Sequence, residues 1–326
     1  MSSRVNYVTI INGQVKRYVQ GIDESLDYLF AVGPDIVLRW IGHLAADGYA
    51  TDEWLTDTLC EGAVLIDVDR RHLLMFSMVH AFVDDACYEY RAATLDAYGR
   101  TWDGWSIEWA VDGIGDIVTY LGEDRRTVRG PAPDDSEIYP YGRDESEYPP
   151  KFLVSVADAD ECRTYGLKVN ATRPWLLGPA LLDSLTIDDA ITSLAAIPLA
   201  GLHLDPATHR AGLWSTMPLE GVTEWWPTRW PGWTLELWGD DFDRQISRCG
   251  ALTLPAVDLK ASLEELADRV DSYWPVEERM RADEVDVDQL RKINFAGIRS
   301  QLAADVTPEE IDAAVAVIRG ATGTTT

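Results

Sequence analysis

One short tryptophan-rich pattern occurs twice in this chain of 326 residues, and no other feature constrains its folding as strongly. Trp102, Gly104, Trp105, Glu108 and Asp112 are matched by Trp230, Gly232, Trp233, Glu236 and Asp240, each 128 positions later. The match continues outward. Residues 62–77 lie against 200–215 without a gap at an offset of 138. Gly33 and Pro34 lie against Gly178 and Pro179 at 145, and the stretch from Tyr7 to Asn12 lies against that from Leu153 to Asp158 at 146. Block order is kept while the offset shrinks, as expected if the second copy has lost short pieces. The chain therefore reads as two diverged copies of one domain, and its length suits two cores of ordinary size.

Each copy has a legible order of elements. Residues 5–11 and 16–20 form a predicted hairpin about Asn12 and Gly13, a favoured tight-turn pair. Residues 25–32 and 34–46 read as helical, with Pro34 suited to a first helical turn. A second hairpin is expected over residues 63–68 and 72–77 about Asp69 and Arg70. A helix over 84–98, a strand over 105–111 and a closing helix over 114–121 complete the unit. Hairpins outnumber strand–helix–strand crossovers, so the fold class is α+β: a tandem duplication of a mainly antiparallel sheet with helices packed on one face. The second copy has few residues between Ser215 and Trp230, and these include Pro218, Gly221 and Pro227. A loop carrying Trp225 and Trp226 is expected there instead of a helix.

Five segments follow. Residues 1–125 and 151–256 are the copies, and 126–150 is an acidic, proline-rich linker. Residues 257–320 are C-terminal helices, in which Leu259, Leu263, Leu266, Val270 and Tyr273 share one face. Thr307 and Pro308 open the last of these helices. Residues 321–326 form a frayed tail.

Charge bounds the partners. With 55 acidic and 28 basic residues the net charge is −27, which disfavours direct binding to nucleic acid or anionic lipid and favours long-range attraction to a basic protein. Apolar runs are interrupted by charge before the ~18 residues a membrane span needs. Four cysteines lack paired spacing, and the expected setting is cytoplasmic, with reduced and mostly buried thiols.

Candidate chemistry is sparse. Asp67 and Asp69 at a hairpin tip, with Asp112 and Asp116 before a helix, are weak candidates for a divalent-metal site if they converge. Turn and cap roles explain the same residues. No dinucleotide loop, P-loop, zincin pair or nucleophile elbow is present, so no catalytic residues and no cofactor are assigned. Trp225 and Trp226, flanked by Glu220 and Glu224, suit an interface anchor or a cation-binding surface, although large aromatics mostly end up buried. The expected function is thus a non-catalytic binding protein, whether inhibitor, immunity or assembly partner, that engages a basic protein through an acidic, Trp-bearing surface. The alternative is an enzyme using dispersed acidic residues in a cleft between the copies. Homo-oligomerisation through the C-terminal helices is a third possibility.

Overall fold

The computed structural model describes residues 2–23, 26–44, 49–78, 87–130, 150–158, 161–167, 173–249, 252–274, 276–290 and 298–320. Most of the expected linker and all of the tail lie outside the described residues. The chain divides into two compact units. Unit 1 comprises residues 1–80, 89–129 and 258–326, and unit 2 comprises 81–88 and 130–257.

Unit 1 opens with β1 (Ser2–Ile11) and β2 (Gln14–Asp23), then α1 (Leu26–Phe30) and α2 (Pro34–Leu44). The second hairpin is β3 (Gly62–Asp67) and β4 (His72–Ser77), followed by α3 (Cys87–Thr101), β5 (Ser106–Trp109) and α4 (Ile114–Tyr120). Unit 2 repeats the plan with β6 (Phe152–Asp158), β7 (Glu161–Leu167), α5 (Ala180–Ser184), β8 (Ala200–Asp205) and β9 (Arg210–Ser215). It closes with α6 (Val222–Arg229), β10 (Thr234–Leu237) and α7 (Phe242–Cys249). The C-terminal helices are α8 (Leu259–Tyr273), α9 (Glu277–Ala282), α10 (Val287–Leu290), α11 (Ile298–Ala303) and α12 (Pro308–Ile318).

The two sheets have one topology. Sheet one runs β2-β1-β3-β4-β5 and sheet two runs β7-β6-β8-β9-β10. In each, two antiparallel hairpins are joined to each other and to the last strand by parallel pairings, so the α+β sheets are mixed. Asn12 and Gly13 both take positive φ at the first turn, as a tight two-residue hairpin requires. At the second hairpin Arg71 and its counterpart His209 share a φ near +50° (51° and 53°).

Packing explains why the tryptophan pattern recurs. Trp102 is buried and its indole N–H donates to the Phe30 carbonyl at 2.7 Å; Trp230 donates in the same way to the Trp175 carbonyl at 2.6 Å. Trp105 and Trp233 each pack edge-on against these rings, with centroids 5.0 and 4.9 Å apart. Gly33 and Gly178 have positive φ, and a Cβ on either would meet a backbone carbonyl, that of Thr101 in one unit and Arg229 in the other. Only glycine satisfies both conditions.

Helices cover both faces of sheet one. On one face Val5, Tyr7, Val64, Ile66, Leu73 and Met75 pack with α1, α2 and α3. The C-terminal segment joins that core through Leu266, Val270, Trp274, Ile311, Val315 and Ile318. Leu263, Leu266, Val270 and Tyr273 of α8 and Ile311, Val315 and Ile318 of α12 are thereby occupied within unit 1, while Leu259 stays exposed. On the other face Val8, Ala63, Leu65, Leu74 and Phe76 pack against Ile114, Ile117 and Val118 of α4. That second layer was not part of the sequence expectation. Ile114, Ile117 and Val118 fall at helical spacing, which marks a buried face on α4 but not the side of the sheet it covers. In unit 2 the expected loop before the second Trp pattern is instead the short helix α6, with Pro227 inside it. Pro227 removes one backbone donor there, yet the helix persists because Trp226 stacks on Trp230, 5.1 Å between centroids at 9°.

Candidate functional site

The duplication supplies an internal reference for every position in the sheets. By strand pairing, the row Arg17–Val8–Leu65–Leu74–Glu108 crosses sheet one, and the row Thr164–Ser155–His203–Gly212–Glu236 crosses sheet two at the same place. Over these rows lie Ile117 of α4 and Gln245 of α7. Unit 1 thus has Val8, Leu65, Leu74 and Ile117 in an ordinary apolar layer. Unit 2 has serine, histidine, glycine and glutamine. The rim of the unit 2 layer stays apolar, with Ile197, Trp214, Trp238 and Phe242 in contact.

The buried polar groups are fully engaged, as burial demands. Gln245 Nε2 donates to Ser155 Oγ at 2.8 Å and to the carbonyls of Leu202 and Leu153 at 3.2 and 3.4 Å, while its Oε1 accepts from the Trp214 indole at 2.5 Å. Ser155 Oγ lies 2.9 Å from Nδ1 of His203, which is 4% exposed. Cys162 on the edge strand β7 and Cys249 at the end of α7 complete the cluster, their sulfurs 2.9 Å apart and hydrogen-bonded. Both are free thiols. The Cys162 hydrogen bond, aided by His203 and Ser155, holds the Cys249 thiol below its ordinary range, and the same pairing together with burial pushes Cys162 upward.

A cavity of about 190 Å³ adjoins the cluster. Gly212 lines it, and because this residue has no side chain the Trp238 ring lies directly against the strand, in the space a Cβ would fill. His203 and Trp238 form one side, with ring centroids 6.1 Å apart, and Asp205, Arg210, Glu236 and Arg248 approach from the others. Glu236 accepts from the Trp238 indole at 3.2 Å, pairs with Arg210 and Arg244, and is held below the usual carboxylate range by these partners. Asp205 is held low by Thr208, whose hydroxyl it accepts at 2.6 Å. Arg248 stacks over Trp238 at 5.0 Å.

The residues singled out from sequence lie elsewhere. Asp67 accepts from the Tyr120 hydroxyl at 2.8 Å and from the Arg70 amide at 3.0 Å. Asp69 accepts from the amides of Asn12 and Gly13, tying one hairpin tip to the other. Asp112 pairs with Arg125 and Arg129, and Asp116 accepts from the Asp112 amide at 2.7 Å. Each of the four carboxylates has its own local partners. Trp226 is 3% exposed and belongs to the interior, and Glu220 is buried in an ion pair with Arg173 at 2.6 Å. Trp225 is half-buried and Glu224 is exposed, so these two alone of the four face outward.

Sequence reasoning missed Ser155, Cys162, His203, Gln245 and Cys249, which come from four elements at no motif spacing. The available signal was the contrast between copies, apolar in one and polar in the other. It was masked because the offset of 146 over the first strand is one residue short of the structural value: Tyr7 pairs with Val64 and Val154 with Leu202, which sets the offset at 147. A one-residue slip turns every side chain of a strand to the opposite face. Comparison with protein-family models, with curated proteins and with solved structures finds no match to this chain. Among the described residues, no helix is long and apolar enough to cross a membrane.

Proposed function

We propose that the protein is a binding protein whose working half is unit 2, and that the cavity beside His203 receives a small anionic ligand. The observation that carries this reading is the replacement of the apolar row Val8–Leu65–Leu74 by Ser155–His203–Gly212. Buried polar groups stabilise less than the hydrocarbon they displace, so a polar row in the middle of a sheet suits binding better than packing. The cavity volume is below that of drug-sized sites, which suits a carboxylate or phosphate group with few other atoms. Arg210 and Arg244 share the single carboxylate of Glu236, and Arg248 sets a further guanidinium beside the opening with an aromatic face beneath it. A guanidinium matches carboxylate and phosphate oxygens two at a time.

Calorimetric titration with phosphate and with short dicarboxylates, each at ionic strength matched by sodium chloride, tests the reading. Saturable binding that Arg248→Ala weakens at least tenfold is expected. Heats indistinguishable from the chloride control for every anion would sink it.

A second reading, engagement of a basic protein, is supported by the net charge of −27. Its contact residues would be Trp225 and Glu224, because Trp226 and Glu220 are interior. A tagged pull-down washed at low and then high salt is its test. A stoichiometric basic partner should be lost on the salt wash, and no partner at low salt would count against it.

A further inference from the structure

The anion reading uses His203 and Arg248 but leaves the two thiols without a role. Among the described residues, Cys162, His203 and Cys249 are the one grouping of three or more His, Cys, Asp or Glu side chains near enough to share an ion, with one donor atom from each within 4.8 Å of the others. We propose that these three side chains form a binding site for a single divalent ion of the zinc class, with an oxygen, from the Ser155 hydroxyl or water, in the fourth position.

Donor chemistry comes first. Two thiolates and an imidazole are a soft set that selects zinc-like ions over magnesium or calcium, which prefer all-oxygen shells. Two thiolates neutralise the charge of a divalent ion, so the occupied site carries no net charge into the interior of unit 2. Coordination exchanges each S–H for an S–metal bond, the displaced protons leave to solvent, and no electron is transferred.

Support around the donors is the second, independent observation. Metal-bound histidines are held by hydrogen bonds from neighbouring groups, and those groups are themselves held. Here Trp214 donates to Gln245, Gln245 donates to Ser155, and Ser155 lies in hydrogen-bond contact with the His203 imidazole. A simple cross-link between two cysteines would need none of this. Unit 1 shows what the same framework looks like without it: Val15, Leu65 and Leu121 stand at the positions of Cys162, His203 and Cys249, and Val8 and Ile117 stand at those of Ser155 and Gln245. No donor atom survives the comparison.

The metal-free geometry is close to what an ion needs. Tetrahedral coordination with sulfur at about 2.3 Å from the ion puts two sulfurs about 3.8 Å apart, roughly 1 Å more than in the hydrogen-bonded thiol pair. Cys162 is on an edge strand and only partly buried, so it has freedom to make that movement.

The proposal does not rest on the anion reading, and its test contains no added anion. The full chain, purified under reductant and stripped with a chelator, is titrated with Co²⁺, which reports thiolate ligands by a near-ultraviolet sulfur-to-metal band. One equivalent per chain is expected, displaced by Zn²⁺. Cys162→Ser and Cys249→Ser should each lose about half of the band, their double variant all of it, and Cys60→Ser none. His203→Gln should weaken binding at least tenfold. Because cysteine variants can unfold, melting of the unaltered chain is a second readout: Zn²⁺ should raise Tm and chelator should reverse the rise. The proposal is overturned by the absence of a sulfur band in the unaltered chain or by a band that survives in the double variant.

Discussion

At the scale of single residues, the two units show how one fold accommodates opposite choices of size and polarity. Leu74 and Ala110 in unit 1 stand where Gly212 and Trp238 stand in unit 2, so bulk has moved from the strand to the residue that follows the last strand. Gly212→Ala pushes into the Trp238 ring and should cost about 1–3 kcal/mol, the usual penalty for overpacking. Combined with Trp238→Ala it should cost less than the two single changes predict, a coupling that denaturant unfolding of the four species would measure. Glu89 in unit 1 offers a pH test. Burial raises its carboxyl above the ordinary value. A raised acid binds its proton more readily in the folded state, so stability falls as pH climbs from the usual carboxylate range, near pH 4.3, through the raised value. Glu89→Gln should therefore raise Tm at pH 8 and leave it unchanged at pH 3.5; equal effects at both would mean that charge burial is not the cause.

At the scale of elements, hairpins, turns and the capped last helix were legible because their signals are local. Thr307 accepts from the Glu310 amide, and the Glu310 carboxylate accepts from the Thr307 amide, a reciprocal cap written in four consecutive residues. Glu310 also pairs with Arg39 of α2 at 2.8 Å, and Arg100 donates to the last-turn carbonyl of Ile318 at 2.7 Å. Thr307→Ala should cost about 1 kcal/mol in the stability of unit 1. The proposed metal site was not legible, since its donors meet only once strand register and the approach of α7 are fixed. The helix α6 was missed for a related reason: Pro218, Gly221 and Pro227 argue against a helix locally, and stacking of Trp226 on Trp230 overrides them. Removal of residues 258–326 strips Leu266, Val270, Ile311 and Ile318 from the core around Trp40 and Tyr28. Such a chain should lose the cooperative melting of unit 1 while unit 2 keeps its own, which protease mapping would resolve.

At the scale of the whole molecule, an excess of carboxylates acts against compactness. Many arginines are already taken by local ion pairs, among them Arg279 with Asp271 and Asp312, and Arg319 with Glu264 and Asp268. The remaining like charges repel across the surface, and salt screens them. Tm should therefore rise between low and physiological ionic strength, and a fall would show that ion pairs outweigh the repulsion.

Unit 1 is discontinuous: its last helices follow the whole of unit 2 in the chain. A ribosome delivers the strands of unit 1 first, yet the residues that cover Tyr28, Trp40 and Ile41 arrive last. At roughly 5–20 residues per second the interval is on the order of ten seconds or more, and unit 2, nearly contiguous, can fold within it. Birth order and folding order are thus reversed in this protein. For that interval the nascent unit 1 carries an uncovered aromatic face, the kind of surface that chaperones hold until the closing segment emerges.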